Sequence, residues 1–403
     1  MLNTVLLLLP IWVLLDLYFF SVLQAAISGL PKFSRKLIYG LYWGLDLLLI
    51  LAILNLRISG SGVFSSYFFS LVGPILLSII PKLVMLPALM LRDLFKLIRQ
   101  EKKKQQQQNH HRRKFINQVI LGAASIPFSY VGFGITKGPY NYTVKRHTLY
   151  FKDLPEAFDN YRITQLSDIH AGSLKDRKAV MRGIQLANDQ KSDLLVFTGD
   201  LVNNQAAELE PLKEIFAKLQ APDGVYSILG NHDYGDYMDW KSPQDKIDNL
   251  QKLKDMQAEM GFKLLNNQHV KISRGTQHIN LVGVENWGKR FHQYGDLDKA
   301  TSGLTPGEFN VLLSHDPSHW EAQILGHPQH MHLTLSGHTH GMQLGIDIPG
   351  LKWSPAKYMY KQWAGIYQSG TKYINVNRGF GFLGFAGRIG IWPEITLITL
   401  KKA

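Results

Sequence analysis

No cysteine occurs anywhere in the 403 residues. Disulfides, thiolate metal ligands and a cysteine nucleophile are therefore excluded. Acidic residues are also sparse: 31 Asp and Glu stand against 44 Lys and Arg, a formal charge of +13. The surplus is uneven. Between Arg92 and Lys114 nine Lys/Arg meet only Asp93 and Glu101, a local +7, which leaves +6 for the other 380 residues. A nucleic-acid-binding domain spreads basic residues over a folded surface. Here the charge flanks an apolar segment instead, as at a membrane boundary, so no nucleic-acid partner is expected.

Charge is what the first 95 residues lack. A bilayer core takes about 20 mainly apolar residues as helix. Residues 2–27 supply one run, with Asp16 its single charge; 37–56 a second, with Asp46; and 68–91 a third, with Lys82 and three prolines. Residues 116–136 form a fourth run without charge. The reading is about three transmembrane helices in 1–95, a basic low-complexity linker in 96–115 (with the tract KKKQQQQ), a fourth transmembrane or signal-like segment in 116–136, and a soluble domain in 148–403. Charges inside apolar runs are functional or pair with one another between helices.

Loop charge bears on topology. Lys32, Arg35 and Lys36 mark the first loop, Arg57 alone the second, and the +7 linker the third. With the first and third loops cytoplasmic, a fourth crossing puts the C-terminal domain outside. The stretch HHRRKFINQVILGAASIPF resembles a twin-arginine export signal, although such signals stand at the N-terminus. The alternative is that 116–136 lies on the membrane surface and the domain is cytoplasmic.

From Tyr161 onward the chain alternates β-branched runs with helical stretches, the pattern of an α/β domain. Strands are expected at 162–166, 194–198, 224–229, 278–284, 310–313 and 331–335, and helices at 175–190, 206–220 and 245–260. The residues just past these strands are Asp168 and His170; Asp200; Asn231, His232 and Asp233; His315; and His338 and His340. In open α/β sheets ligands bind beyond the carboxyl ends of the strands, so five strands deliver these side chains to one rim. Glycine before Asp200, Asn231 and His338 suggests tight turns.

Two Asp, one Asn and four His converging on one rim would be costly as bare buried polar groups. Metal ions remove that difficulty, and oxygen and imidazole ligands suit Mn, Fe or Zn. The number of ligands is right for two divalent ions sharing one carboxylate. Such a pair can generate a bridging hydroxide that attacks phosphorus in line and can stabilise charge on the phosphoryl oxygens.

The ordered set D-x-H, G-D, G-N-H-D, a strand-end H and G-H-T-H resembles the calcineurin-like metallophosphoesterase superfamily over roughly residues 148–400. The resemblance implies a four-layer α/β/β/α sandwich behind the transmembrane helices. It implies that Asp168, His170 and His340 hold one metal, that Asn231, His315 and His338 hold the other, and that Asp200 bridges them. It further implies that His232 contacts the phosphate and assists the leaving group, with Asp233 placed to orient it. One departure is visible: where the family often carries a second acid after G-D, this chain has Asn203 and Asn204.

Membrane segments together with LSGHTHGMQLG and NRGFG resemble a bacterial group of envelope-associated phosphoesterases. That implies a phosphodiesterase or pyrophosphatase acting on a phosphorylated small molecule or a lipid-linked substrate. Residues 350–373, rich in aromatics and Lys, read either as strands of a second sheet or as a membrane-proximal lip. Arg378 suits a phosphate contact or a buried salt bridge. His319 suits a substrate contact, and His327, His330 and His332 read as loop or strand residues. The competing reading is a catalytically weak phosphate-binding scaffold serving a transporter or sensor.

Overall fold

The computed structural model describes residues 2–58, 66–98 and 109–403. They form two compact units, Met1–Thr136 with Gly384–Gly387 and Lys137–Leu383 with Arg388–Ala403.

The described part of the first unit's N-terminal segment is mainly helical: α1 (Leu2–Ala26), α2 (Lys32–Ile58), α3 (Ser66–Ile98) and α4 (Asn109–Thr136). Backbone polar groups in lipid must be bonded within the segment, which favours helix for such runs. Lys32–Asn55, Leu71–Phe95 and Phe115–Thr136 are each long and apolar enough to cross a membrane. The KKKQQQQ tract lies outside the described residues. Helix α4 begins before the expected start at 116 and takes in the basic stretch HHRRK. The three intramembrane charges pair between helices. Lys82 donates to Asp16 and, at 3.3 Å, to Asp46, which also accepts from Ser78 at 2.8 Å.

The second unit holds two six-stranded sheets. The first runs in the order β1 (Thr143–Phe151), β14 (Glu394–Lys402), β2 (Tyr161–Leu166), β3 (Leu194–Phe197), β4 (Val225–Ser227), β5 (Phe262–Leu264). Its pairs are parallel except β14 with β2. The second runs β12 (Gly365–Ser369), β13 (Lys372–Val376), β9 (Leu333–Ser336), β8 (Asn310–Leu313), β7 (Gln277–Gly283), β6 (Gln268–Arg274), parallel inside and antiparallel at both edges. A hairpin of β10 (Ile346–Ile348) and β11 (Leu351–Trp353) stands apart from both.

Period-two alternation sorts the strand residues into layers. Leu194 and Val196 of β3 enter the core between the sheets with Val311, Leu313, Leu333 and Leu335. Leu195 and Phe197 point the other way, into a second core under α5 (Arg177–Asn188), α6 (Lys213–Phe216) and α7 (Pro243–Glu259). Beyond the second sheet, Leu312 and Val282 meet Leu297 of α8 (Leu297–Thr301) and Trp320 of α9 (Ser318–Ala322). The result is the expected α/β/β/α sandwich. Each such side chain, wholly buried, contributes about 1.5–3 kcal/mol of hydrophobic stabilisation.

Three expectations change. The single helix at 206–220 is instead a 3-10 turn at Ala206–Leu209 followed by the short α6. Pro211 lies between them and has no N–H to continue a helix. The boundary at 148 falls inside β1, an edge strand whose polar sequence TVKRHTLYF conceals it. Residues 350–373 divide between the second sheet (β12 and part of β13) and the separate hairpin.

Candidate metal centre

The strands of both sheets bring the expected residues together at one rim. Asp168, His170 and His340 form one group and Asp200, His315 and His338 another, and within each the ligand atoms lie within 4.8 Å of one another. The two groups meet at Asp200, whose Oδ2 is 3.1 Å from His315 Nε2 and 3.6 Å from His170 Nε2. Asn231 joins the second group, its Oδ1 2.8 Å from His338 Nδ1.

The backbone is bent to achieve this. Asp168, His170, Asp200, His338 and His340 all have positive φ, between 48° and 71°. For residues with a Cβ each costs roughly 1–3 kcal/mol and persists only where the surroundings impose it. Of the three glycines expected in tight turns, Gly199 alone has positive φ, at 95°. Gly337 is required for a different reason: a Cβ there would collide with Ser167 Oγ and Asp168 Oδ2.

Main-chain groups aim the candidate ligands. The His338 N–H donates to Asp168 at 3.0 Å, and the His232 N–H to Asp200 Oδ1 at 2.9 Å. His315 Nδ1 is 2.7 Å from the Thr198 carbonyl, which turns Nε2 toward Asp200. His338 Nε2 meets Tyr360 Oη at 2.9 Å and Asp316 at 3.6 Å, which leaves Nδ1 facing Asn231. The wholly buried Arg388 sets Nη2 3.1 Å from His340 Nδ1. The acceptors among these, the Thr198 carbonyl and Asp316, are of the kind that fix ring orientation at metal sites.

His232 does not follow the expected arrangement. Asp233 accepts from the backbone N–H of Asp200, Leu201 and Gly230 at 2.7–2.9 Å, so it braces the Gly199–Leu201 turn rather than the imidazole. His232 Nδ1 instead meets the Asn203 carbonyl at 2.7 Å. Its ring centroid is 5.0 Å from that of His170 and 4.6 Å from that of Tyr237. His319 is buried and bonded to Ser314 and Gln323, which removes it as a substrate contact. Arg378 is likewise occupied by Glu394 and Asp347. Next to His338 a cavity of about 290 Å³ is lined by Lys289, Arg290, Asp316, Met359, Tyr360 and Lys361.

The protonation states fit divalent ions. Burial pushes His170 and His338 down, keeping both rings neutral. Burial opposes charge on Asp168 and Asp200, but His340 beside the first and His315 beside the second overcome it and hold both carboxyls below the usual range. Neutral imidazole and ionised carboxylate are the forms a divalent ion takes as ligands. His315 is the exception: burial disfavours its charge, yet the Asp200 carboxylate holds it up at about 10. That shared proton lies where the ligand atoms of a cation site converge.

A four-layer sandwich with this rim defines a metal-dependent phosphoesterase attached to membrane helices. Residues 161–342 match the family model described as calcineurin-like phosphoesterase, and residues 2–139 the one described as "Probable Calcineurin-like phosphoesterase, transmembrane domain". The chain belongs to the calcineurin-like metallophosphoesterase family and is a membrane protein. It is 31% identical over 281 residues to the YkuE metallophosphoesterase of Bacillus subtilis, covering 67% of this chain and 90% of that one. It is also 31% identical over 261 residues to a transmembrane protein with metallophosphoesterase domain of Danio rerio, covering 62% of this chain but only 55% of the relative. The crystal structure of TT1561 of Thermus thermophilus matches 57% of this chain and 90% of its own at 11% identity, with a TM-score of 0.31.

Proposed function

We propose that this metal-dependent phosphoesterase uses two divalent ions to cleave a phosphodiester or pyrophosphate of the cell envelope, carried by a small molecule or a lipid. The observation that carries the two-ion reading is Asp200, whose Oδ2 lies within 3.6 Å of a histidine from each ligand group. Asp168, His170 and His340 would hold one ion, Asn231, His315 and His338 the other, and Asp200 both. Mn, Fe and Zn suit these oxygen and imidazole donors. Bound there, such ions supply an activated water at neutral pH and positive charge against the phosphoryl oxygens.

The chain's own groups supply the remaining steps. With Nδ1 held by the Asn203 carbonyl, His232 keeps Nε2 as the ring atom that carries or gives a proton to the leaving oxygen. Asp233 holds the turn from which Asp200 projects. The cavity beside His338 offers Met359 and Tyr360 to an apolar portion of the substrate, and Lys289 and Arg290 to an anionic one. That mixture suits a diester or a diphosphate better than a small monoester. The charge of the first and third loops favours an extracytoplasmic position for the hydrolase unit.

The test uses the full chain in detergent, stripped of metal and supplied with Mn, Fe or Zn. Bis(p-nitrophenyl) phosphate is compared with p-nitrophenyl phosphate, with Asp200→Asn as control. Metal-dependent turnover of the diester, lost in the control, is expected. A folded, metal-loaded chain without turnover on either ester, and without turnover on lipid-linked diphosphates, would replace hydrolysis by a binding role.

A further inference from the structure

The hairpin of β10 and β11 has reversed polarity. Its cross-strand pairs are Ile346 with Trp353, Asp347 with Lys352, and Ile348 with Leu351. Alternation puts the two apolar pairs on one face and the charged pair on the other. On the surface of a water-soluble domain the charged face points outward. Here Asp347 points inward, and Lys352, exposed as a residue, bends its ammonium back toward the domain. Asp347 receives Lys145 at 2.9 Å and Arg378 at 3.3 Å, and Lys352 turns its ammonium onto the Ala364 carbonyl beneath the Trp363 ring. The apolar face is left in the open, with Ile346, Ile348 and Leu351 at 41%, 58% and 50% exposure.

The same surface continues through the chain that follows. Tyr358 and Met359 are exposed at the end of a short 3-10 turn, and the Lys357 ammonium stands over the Tyr358 ring, 5.3 Å from its centroid. Lys361 lies just beyond, its side chain 77% exposed and its ammonium 2.7 Å from Glu321. Between Met342 and Lys361 the chain carries one acid, Asp347, and that one is neutralised from within. Exposed aliphatics beside Tyr, Trp and Lys, with the nearby Glu321 carboxylate paired to Lys361, are the composition of a segment that sits at the level of lipid headgroups.

We propose that this hairpin and the adjoining Tyr358–Met359 tip insert into the interfacial layer of a lipid bilayer. The chain's own membrane-spanning helices keep a bilayer within reach at all times, so a weakly apolar surface suffices for contact. Lys357 complements anionic headgroups at its border. The hairpin begins shortly after the ligand His340, and Met359 and Lys361 line the cavity beside His338. Insertion therefore fixes the rim of the metal centre against the lipid surface, where headgroup phosphates are presented. The insertion itself does not depend on the hydrolase reading and is tested without activity.

The absence of cysteine makes the test direct. Ile348→Cys and Leu351→Cys, and Gln251→Cys on the exposed side of α7 as reference, each give a single site for an environment-sensitive fluorophore. The full chain is placed in nanodiscs of phosphatidylcholine and phosphatidylglycerol, where both membrane faces meet the solution. Nitroxide-bearing acyl chains should quench positions 348 and 351 several-fold more than position 251, and aqueous iodide should quench them several-fold less. Equal iodide quenching at all three positions would overturn insertion. Protection of 348 and 351 from both quenchers would also overturn it, since the cover would then be protein.

Discussion

Asp200→Asn separates the two roles that its carboxylate combines. The substitution keeps the volume and keeps Oδ1 as acceptor for the His232 N–H at 2.9 Å. It removes one negative charge and places an amide NH₂ between His315 and His170, where the two ligand groups meet. Without ions the variant loses its pairing with His315, which then sheds its proton. A buried ion pair replaced in this neutral way is often close to energetically silent, so the ion-free melting temperature should move by no more than a few degrees. With ions the outcome differs. An ion at a hundred times its Kd stabilises by about 2.7 kcal/mol, so two sites contribute about 5 kcal/mol. At about 2–4 °C per kcal/mol for a domain of this size, Mn should raise the wild-type transition by roughly 10–20 °C. In the variant that rise should fall to less than half, the metal content should drop from two per chain to one or none, and turnover should drop by at least about 10³, or about 4 kcal/mol of barrier. Calorimetry with and without Mn, beside elemental analysis, reads all but the last. A variant that still binds two ions and keeps the full Mn shift would refute the bridging role.

His232→Ala should leave the metal content unchanged while lowering kcat by about 10²–10⁴; the loss should be smaller for p-nitrophenolate, which needs no proton to depart, than for an alkyl leaving group. Asp233→Asn leaves one oxygen for the several N–H groups that its carboxylate accepts, so urea unfolding should show about 3 kcal/mol of lost stability together with weakened Mn binding. Burial pushes His319 and His332 down to about 4, so the unfolded chain binds protons that the folded one refuses between about 6.5 and 4. The contribution of these two histidines to ion-free stability should therefore be complete above 6.5 and fall as pH drops toward 4, with a shallower fall in His319→Gln. Lys82→Met leaves two carboxylates unneutralised among the helices and should cost about 3–5 kcal/mol in detergent-induced unfolding, recovered when Asp16→Asn and Asp46→Asn are added.

The proposed metal ligands are legible in the sequence because each follows a run of β-branched or aliphatic residues, and a parallel sheet sends the residues after its strands to one rim. The groups that aim those ligands are not legible. His315 and His232 are turned by the carbonyls of Thr198 and Asn203, and a main-chain carbonyl is present at every position, so no residue type marks it. Adjacency in G-N-H-D links Asp233 to His232, yet the carboxylate turns to the N–H groups of the neighbouring Gly199–Leu201 turn, which no local reading of four residues contains. Tyr360 and Arg388 reach the site from chain segments whose positions depend on the whole fold.

The hairpin shows the same limit in another form. The alternation Ile346-Asp347-Ile348 and Leu351-Lys352-Trp353 assigns residues to two faces, because the side-chain period of a strand is two. It does not say which face is inward. In an ordinary half-buried strand the apolar face would be, and the same letters would describe a plain surface turn. What reverses the assignment is the positive charge behind the hairpin: Lys145 on β1 and Arg378 just after β13, which also pairs with Glu394, both reach the Asp347 carboxylate. Once Asp347 is drawn inward, pleating forces Ile346 and Ile348 outward. The exposed apolar face is thus the geometric consequence of an ion-pair cluster, and replacing Asp347 by Asn should loosen the hairpin and weaken lipid quenching at position 348 without changing any outward side chain.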